Sequence, residues 1–291
     1  MLNKKSLDSA PVAFAIITYY PQWYRGKLRS LKHTDKVRGD LAIEFFQTAL
    51  KQGYQVVVAD GKSSKTFRKT ISQFPGLHLI KRRSLKRAVA KRQAILKAAK
   101  LPGVKVIIAT EPEKISLLTD CLPQLVNPII KQEADIVIPK RENSLFERTF
   151  PKYMYQSEIE GNKLYNEILR TNRLLGDRED FDVFFGPRVF VNQPKIVRLF
   201  TKKYRLKISK KAYLESYFDI DAYSSTLYFP IVIALKKKLR VKSVEVPFTY
   251  PKIQKDNEDK GSKEHFAEKR RYQRISILVE LLYFINFLKR N

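Results

Sequence analysis

The chain has 291 residues, and its 57 Lys and Arg against 29 Asp and Glu give a formal net charge of +28. Because 44% of the residues are hydrophobic, a compact chain of this length can bury roughly three quarters of its unfolded surface, which excludes disorder of the whole chain. The single cysteine, Cys121, excludes a disulfide framework and a cysteine-based zinc site, and the three widely spaced histidines exclude a His-cluster metal motif.

The first apolar segment, residues 13–20, follows two lysines, as the core of a signal peptide does. No cleavage pattern of small residues comes after it, and residues 21–25 interrupt the apolar run, so we predict a buried first strand. The other long apolar run, 275–288, contains Glu280 and is shorter than the roughly 20 residues that a spanning helix needs. We therefore expect a cytoplasmic protein.

Strand and helix patterns alternate through the first half of the chain. The sequence predicts strands at 13–20, 55–61, 78–82, 104–110 and 134–140, and helices at 35–53, 84–99 and 117–132. The near-continuous Val and Ile of the strands predict an α/β fold with a mostly parallel sheet flanked by helices on both faces. Ligands bind such sheets beyond the carboxyl ends of the strands, so the residues that follow the strands are candidate site residues.

The second half of the chain has a different pattern. It predicts a helix at 157–175, an apolar segment at 181–191, an aromatic and apolar segment at 217–238, a last strand at 240–251, a mobile loop at 252–264 and a closing helix to the end. We therefore predict a domain at 1–251, with halves at about 10–143 and 144–251, followed by the loop and amphipathic helix of 252–291.

Basic residues are concentrated in four runs, at 81–92, 202–211, 236–242 and 268–274. Such an excess attracts polyanions, of which nucleic acid, anionic lipid headgroups and a phosphorylated substrate are the candidates. A Lys-rich surface that only keeps the protein soluble is the alternative. No nucleic-acid recognition signature is present, so we expect no specific nucleic-acid partner.

Two acidic motifs follow predicted strands. Asp60 and Gly61 end the second strand, where a carboxylate can accept a hydrogen bond from a base or ribose, although a plain Asp-Gly turn is the alternative. Glu111 and Glu113 follow the strand at 104–110 and could together hold Mg²⁺ or Mn²⁺ on a diphosphate. The alternative for this pair is the first turn of a helix, which Pro112 and glutamates also suit.

Two further candidates are a carboxylate pair and an arginine. Asp219 and Asp221 lie in an apolar, aromatic segment, where burial could raise a carboxylate pKa toward that of a general base; a helix N-cap is the alternative. Arg92 could clamp phosphate oxygens through its planar guanidinium, or could be an ordinary solvated helix residue.

Taken in order, these segments resemble inverting nucleotide-sugar glycosyltransferases of the GT-A fold, especially the family-two group and its polyprenyl-phosphate and mannosylglycerate-type relatives. The collinear segments are VVVADGKSS, AKRQAI, VIIATEPEK, ADIVIPKR, FDVFFGPRVFV and the stretch YFDIDAYSSTLYFPIVIALKKKLRVKSVEVPFTYP. Glu-Pro-Glu stands where the family has a metal-binding Asp-x-Asp, and the arginine motif lacks the usual glycines.

The resemblance implies a Rossmann-like GT-A sheet with a C-terminal acceptor-side extension and a closing helix. It also implies roles for eleven residues: donor binding by Thr18, Tyr20, Asp60, Ser63 and Arg92, metal binding by Glu111 and Glu113, acceptor binding by Gly186 and Arg188, and catalysis by Asp221 with Asp219 as the alternative base. The implied activity moves a sugar, with inversion, from a nucleotide diphosphate sugar to a hydroxyl or phosphate acceptor.

Two alternatives to glycosyl transfer stay open. One is a catalytically degenerate GT-A-like protein that uses its basic surface to bind polyanions, and the other is a sugar nucleotidyltransferase. The wide apolar face and basic half of the C-terminal helix suggest peripheral docking on an anionic membrane surface, which would suit an anionic or lipid-linked acceptor, whereas simple packing onto the domain is the alternative.

Overall fold

The computed structural model describes residues 12–84, 86–204, 223–260 and 263–290. Seven strands form a single sheet: β1 (Val12–Thr18), β2 (Gln55–Asp60), β3 (Leu77–Lys81), β4 (Val106–Thr110), β5 (Ile136–Arg141), β6 (Arg188–Val191) and β7 (Val241–Val246). Their order across the sheet is β3-β2-β1-β4-β6-β5-β7. All neighbouring pairs are parallel except those of β6, which runs antiparallel to β4 and to β5.

Twelve α-helices in the described residues cover this sheet. They are α1 (Thr34–Lys51), α2 (Lys65–Ile71), α3 (Arg87–Ala98), α4 (Ile115–Thr119), α5 (Leu122–Ile130), α6 (Asn143–Thr149), α7 (Lys152–Thr171), α8 (Pro194–Thr201), α9 (Ser224–Leu227), α10 (Phe229–Lys236), α11 (Lys252–Lys260) and α12 (Lys263–Arg290). The predicted α/β class, with a mostly parallel sheet flanked by helices, is confirmed.

The sheet separates two hydrophobic layers, and the strands feed both by alternation. In β1, Phe14 and Ile16 belong to the layer that contains α1 and α5, whereas Ala13 and Ala15 belong to the layer that contains α3 and α10. Successive strand residues point to opposite faces, so a strand buried on both faces has no polar alternation. This is why the strands are continuous Val and Ile runs in the sequence.

The order of the strands reverses beside β1. The chain adds β2 and then β3 on one side of β1, and returns to place β4 on the other side. In an open α/β sheet the crevice at such a reversal, outside the carboxyl ends of the strands, is where ligands bind. The fold therefore predicts a ligand site at the segments that follow Thr18 and Thr110.

The structure corrects the sequence prediction for the segment after β7. We predicted a mobile loop at 252–264 from its composition, but Lys252–Lys260 form α11. Glu258 is buried, accepts hydrogen bonds from Arg38 and Tyr250, and fixes the helix against α1. A charged segment is ordered here by partners distant in sequence, which its own composition does not reveal.

Two other segments differ from the prediction in detail. The helix predicted at 117–132 is divided into α4 and α5, and the segment 181–191 consists of a 3-10 turn, Val183–Phe185, followed by β6. None of the described helices combines the length and the apolar character that crossing a bilayer requires.

Candidate functional site

Two clefts open beside the carboxyl ends of β1 and β4. The first, which we call the strand-end cleft, is open to solvent and spans about 1130 Å³ with that solvent included. Its described lining consists of Ile17, Thr18, Tyr19, Tyr20, Arg38, Arg82, Arg87, Lys91, Glu111, Glu113, Tyr223, Thr226 and Leu227. It thus lies at the reversal of strand order, where the topology directs a ligand.

The second, the aromatic cleft, is also open to solvent and spans about 1090 Å³ with that solvent included. It is lined by rings from several helices and loops. Besides charged residues, its described lining includes Phe150, Phe184, Phe185, Gly186, Tyr228 and Tyr250. Six residues line both clefts and form what we call the shared wall: Arg38, Arg87, Glu111, Glu113, Tyr223 and Leu227. Ligands in the two clefts would therefore meet at the two glutamates.

The Asp60 carboxylate is engaged within the protein. Thr18, its register partner on β1, donates its hydroxyl to Asp60 Oδ1 at 2.9 Å. The Ser63 hydroxyl also donates to Oδ1, the Ser63 backbone N–H donates to Oδ2 at 3.1 Å, and the Tyr20 backbone N–H donates to the Ser63 hydroxyl at 2.9 Å. Asp60 and Ser63 therefore fix the loop that carries Thr18 and Tyr20, and base recognition by Asp60 stays a prediction.

Gly61 has a definite steric role. A Cβ on this residue would lie 2.3 Å from Arg82 Nη1, so no larger residue fits without moving that guanidinium. A glycine at the end of a strand can let a ligand approach the backbone closely. In the structure its open space holds the Arg82 side chain, which lines the strand-end cleft.

Glu111 is held by two lysines from different elements. Lys91 Nζ of α3 lies 3.1 Å from Glu111 Oε1, and Lys114 Nζ lies 3.6 Å from Glu111 Oε2. Burial alone would raise the pKa of Glu111, but the two ammonium groups outweigh burial and hold that pKa well below its usual range. Glu111 is therefore a carboxylate at neutral pH, with its charge matched by the protein.

Glu113 has a neutral partner. The Tyr20 hydroxyl donates to Glu113 Oε1 at 2.9 Å. Burial, reinforced by the Glu113 charge, raises the pKa of Tyr20 well above its usual value. Tyr20 is thus a protonated donor across the whole physiological range, and it ties the end of β1 to the segment after β4.

The predicted Mg²⁺ or Mn²⁺ site requires oxygen ligands that are free to bind a cation. Both glutamates have protein partners, and no cluster of three or more His, Cys, Asp or Glu suited to a metal occurs within the described ranges. The described residues offer two carboxylates here, fewer oxygen ligands than Mg²⁺ takes, and Glu111 Oε2, which has no hydrogen-bond partner, lies 3.6 Å from Lys114 Nζ. Metal binding by Glu111 and Glu113 therefore stays a prediction from the resemblance.

Of the two predicted acceptor-side residues, Gly186 lines a cleft and Arg188 is buried beneath it. Gly186 lines the aromatic cleft with a φ of 101°, and a Cβ there would lie 3.2 Å from Glu111 Oε2. Arg188, the first residue of β6, is fully buried, and its guanidinium donates to the carbonyls of Val183, Pro187 and Leu227. Its side chain therefore braces the turn beneath the cleft, a different place from the one that the resemblance implies.

Arg92 is buried beside the clefts, and its Nη1 donates to the Ser225 hydroxyl at 3.1 Å. Its neighbour Lys91 lines the strand-end cleft, as does Arg87 at the start of the same helix. A role for Arg92 toward a donor stays a prediction. The helical spacing alone does not show whether Lys91 or Arg92 lines the cleft, because both side chains are largely buried.

Several cationic residues of the site were missed as site residues by the sequence analysis. They are Arg38, Arg82, Arg87, Lys114 and Arg270. Arg82 and Arg87 belong to the basic run at 81–92. The run indicated anion binding but not which of its residues line a cleft. Arg270 belongs to the basic run at 268–274, whereas no local pattern sets Arg38 apart.

A buried ionic network supports the floor of the aromatic cleft. Arg141, at the end of β5, forms a two-pronged pair with Asp182 at 2.7 Å and donates to Glu158 at 2.7 Å. Its guanidinium also lies 3.5 Å from the centroid of the Phe146 ring. Because both carboxylates are buried, the pair is expected to hold β5, α7 and the 3-10 turn in one arrangement.

Asp219 and Asp221, the predicted general bases, lie outside the described residues. The description resumes at Tyr223, which belongs to the shared wall. The Arg87 guanidinium donates to the Tyr223 hydroxyl and lies 5.1 Å from its ring centroid.

Comparison with known proteins gives no family. No protein-family model and no curated protein matches the chain. Solved structures of similar overall arrangement include a presumed nucleotide-diphospho-sugar transferase from Desulfovibrio desulfuricans G20 (TM-score 0.41, 10% identity, 94% of this chain and 98% of that one). Others are a 4-diphosphocytidyl-2C-methyl-D-erythritol synthase from Anaerococcus prevotii DSM 20548 (0.44, 11%, 86% and 95%) and residues 1–349 of S. aureus TarS (0.38, 13%, 97% and 73%). At these values the likenesses carry no argument about function.

A substitution at Gly186 tests how closely the Glu111 side chain packs against this position. We expect Gly186→Ala to lower the free energy of unfolding by about 2–3 kcal/mol, because it adds a contact with Glu111 to the cost of a positive φ. Gly103→Ala is the matched control, because Gly103 also has a positive φ, of 73°, but nothing within 4 Å of its added Cβ. We expect about 1 kcal/mol for the control in urea denaturation. Equal losses for the two variants would show that the Glu111 contact does not constrain position 186.

Proposed function

We propose that the protein is an inverting glycosyltransferase that uses a nucleotide diphosphate sugar as its donor. The observation that supports this most is the pair of clefts at the carboxyl ends of β1 and β4, which share a wall of charged residues. Group transfer requires two ligands in contact with their reacting atoms aligned. A single shared wall between two clefts of this size suits such a reaction.

The strand-end cleft is the proposed donor site. Its described lining carries four cationic side chains against two glutamates, which suits the charge of a diphosphate. The Tyr19 ring is 52% exposed and lies at the same cleft, where it could stack on a base. In this proposal Thr18 and Tyr20 line the donor pocket, and Asp60, Ser63 and Arg92 support it as the resemblance implies.

The aromatic cleft is the proposed acceptor site. Its described lining includes five cationic side chains and three glutamates, together with several aromatic rings. Arg38 has a buried Nε atom with no hydrogen-bond partner, so a further acceptor of hydrogen bonds could be accommodated there. We propose that the acceptor carries an anionic group, which this cleft would bind beside the shared wall.

The proposed base is Asp221, with Asp219 as the alternative. Asp221 precedes Tyr223 by two residues in the sequence, and Tyr223 lines both clefts. In the proposed mechanism the carboxylate takes the proton of the acceptor hydroxyl as its oxygen attacks the anomeric carbon. The bond to the nucleotide diphosphate breaks from the opposite face, which inverts the configuration.

Donor binding can be measured by thermal stabilisation with a panel of UDP- and GDP-sugars. A ligand bound only by the native state at about 100 times its Kd adds about 2.7 kcal/mol of stability, so we expect one donor class to raise the Tm by about 5 °C or more. Nonspecific RNA is the comparison ligand. Stabilisation by RNA and by none of the nucleotide sugars would contradict the proposal and favour the polyanion-binding alternative.

The base can be tested with the donor that the panel identifies. We expect Asp221→Asn to reduce the transfer rate by 10²-fold or more while the Kd of the donor changes by less than about threefold, because general-base catalysis contributes about 10²–10⁴-fold. Asp219→Asn is the matched variant and separates the two aspartates. An Asp221→Asn protein with the parental transfer rate would remove this assignment.

We also propose that α12 docks the protein on an anionic membrane surface. Four large side chains of this helix are well exposed: Tyr272, Ile275, Leu282 and Tyr283. At 100° per residue they fall within an arc of about 100°, so they form one apolar stripe, which we call the α12 stripe. Exposed Arg271, Lys289 and Arg290 flank it, and their charge favours anionic lipid headgroups.

Vesicle sedimentation tests the α12 stripe. We expect the double variant Ile275→Ser and Leu282→Ser to weaken binding to phosphatidylglycerol-containing vesicles about tenfold or more, because each side chain loses apolar area that the bilayer would bury. Ile130→Ser is the control, because Ile130 is similarly exposed, at 42%, on a different helix. Equal vesicle binding by the double variant, the control and the parent protein would contradict the docking proposal.

A further inference from the structure

The two carboxylates after β4, Glu111 and Glu113, already have protein partners at oxygens that a metal ion would use. Lys91 Nζ lies 3.1 Å from Glu111 Oε1, and Tyr20 donates to Glu113 at 2.9 Å. Mg²⁺ binds oxygen ligands at about 2.0–2.1 Å, so a metal bound through Glu111 Oε1 would sit against the Lys91 ammonium. Two like charges at that separation repel strongly in a partly buried site. A metal bound through Oε1 would have to displace the buried Lys91, and one bound through Oε2, which has no hydrogen-bond partner, would meet the Lys114 ammonium 3.6 Å away.

Lys91 is positioned to bind a second anion in addition to Glu111. The residue is only 6% exposed, yet it lines the strand-end cleft with Arg82 and Arg87. The Lys91 side chain is 7% exposed, and Glu111 Oε1 lies 3.1 Å from its ammonium group. A second anion near Nζ would interact with this ammonium strongly, because little water screens it there.

We infer that Lys91, Arg82 and Arg87 neutralise the diphosphate of the nucleotide in the strand-end cleft in place of a divalent metal ion. This inference rests on the proposed function, because it concerns the same nucleotide site. Glu111 then has a role different from that of a metal ligand: it holds Lys91 and Lys114 at the shared wall. The departure of Glu-Pro-Glu from Asp-x-Asp has a physical meaning in this account, since the longer side chain of Glu111 reaches Lys91 and Lys114 and that of Glu113 reaches the Tyr20 hydroxyl.

Nucleotide binding in the presence and absence of metal tests this directly. Isothermal titration calorimetry is run on the full chain with UDP and with GDP, first in excess EDTA and then in manganese. We expect at least one nucleotide to bind in EDTA, with a Kd within about threefold of that in manganese, a difference below about 0.7 kcal/mol. Binding that requires manganese would overturn the inference and leave the proposed function standing. Absence of binding under both conditions would overturn both.

Two substitutions test whether cationic side chains or a metal ion bind the diphosphate. We expect Lys91→Met to weaken nucleotide binding about tenfold or more, as loss of a charge-assisted contact does. Lys97→Met is its control, because it removes the same charge from an exposed position of the same helix. We expect Glu111→Gln to tighten nucleotide binding about threefold or more, since it removes a competing anion from Lys91. A metal site predicts the reverse for Glu111→Gln.

The Glu111→Gln result keeps the test decisive if Lys91→Met does not fold. Circular dichroism and a thermal melt establish folding of each variant before titration. Weaker nucleotide binding by a folded Glu111→Gln protein would overturn the inference, as would unchanged binding by a folded Lys91→Met protein. Loss of binding in Lys97→Met equal to that in Lys91→Met would also overturn it, because a general charge effect would then explain both.

Discussion

A carboxylate that is partly withdrawn from water at the end of a strand is stabilised by nearby cations or hydrogen-bond donors, and this requirement organises the crevice beside β1 and β4. Glu111 follows β4, the strand beside the reversal of strand order, and Lys91 of α3 and Lys114 compensate its charge. Tyr20 performs a similar task for Glu113 from the end of β1. The same contacts that make the glutamates tolerable join β1, β4 and α3 around one crevice.

The antiparallel strand β6 gives this crevice its second compartment. Because β6 is inserted between β4 and β5, its first residues approach the carboxyl end of β4. Gly186 can therefore lie against Glu111, while Arg188 braces the preceding turn from below. The aromatic cleft is built on this turn and on the buried Arg141 network. Two clefts with a common wall are thus a direct consequence of the strand order.

Much of the first half of the chain could be predicted from the sequence, because both its strands and its turn chemistry have local signatures. Continuous Val and Ile runs located the parallel strands, and strand ends located Asp60 and Glu111. The ordering of Lys252–Lys260 and the roles of Arg38 and Arg270 could not be predicted, because each depends on a partner more than 100 residues away. Gly61 shows the same limit: its motif was evident, but the side chain that fills its space was not.

The central claim is that one crevice at β1 and β4 binds a nucleotide diphosphate against cationic side chains. A crystal structure of the protein with a bound nucleoside diphosphate, grown with manganese present, tests this most directly. The account predicts the two phosphates in the strand-end cleft, with oxygens within hydrogen-bond distance of Lys91 Nζ and of the Arg82 or Arg87 guanidinium. Phosphates bridged by manganese to Glu111 and Glu113, or bound outside this cleft, would contradict it.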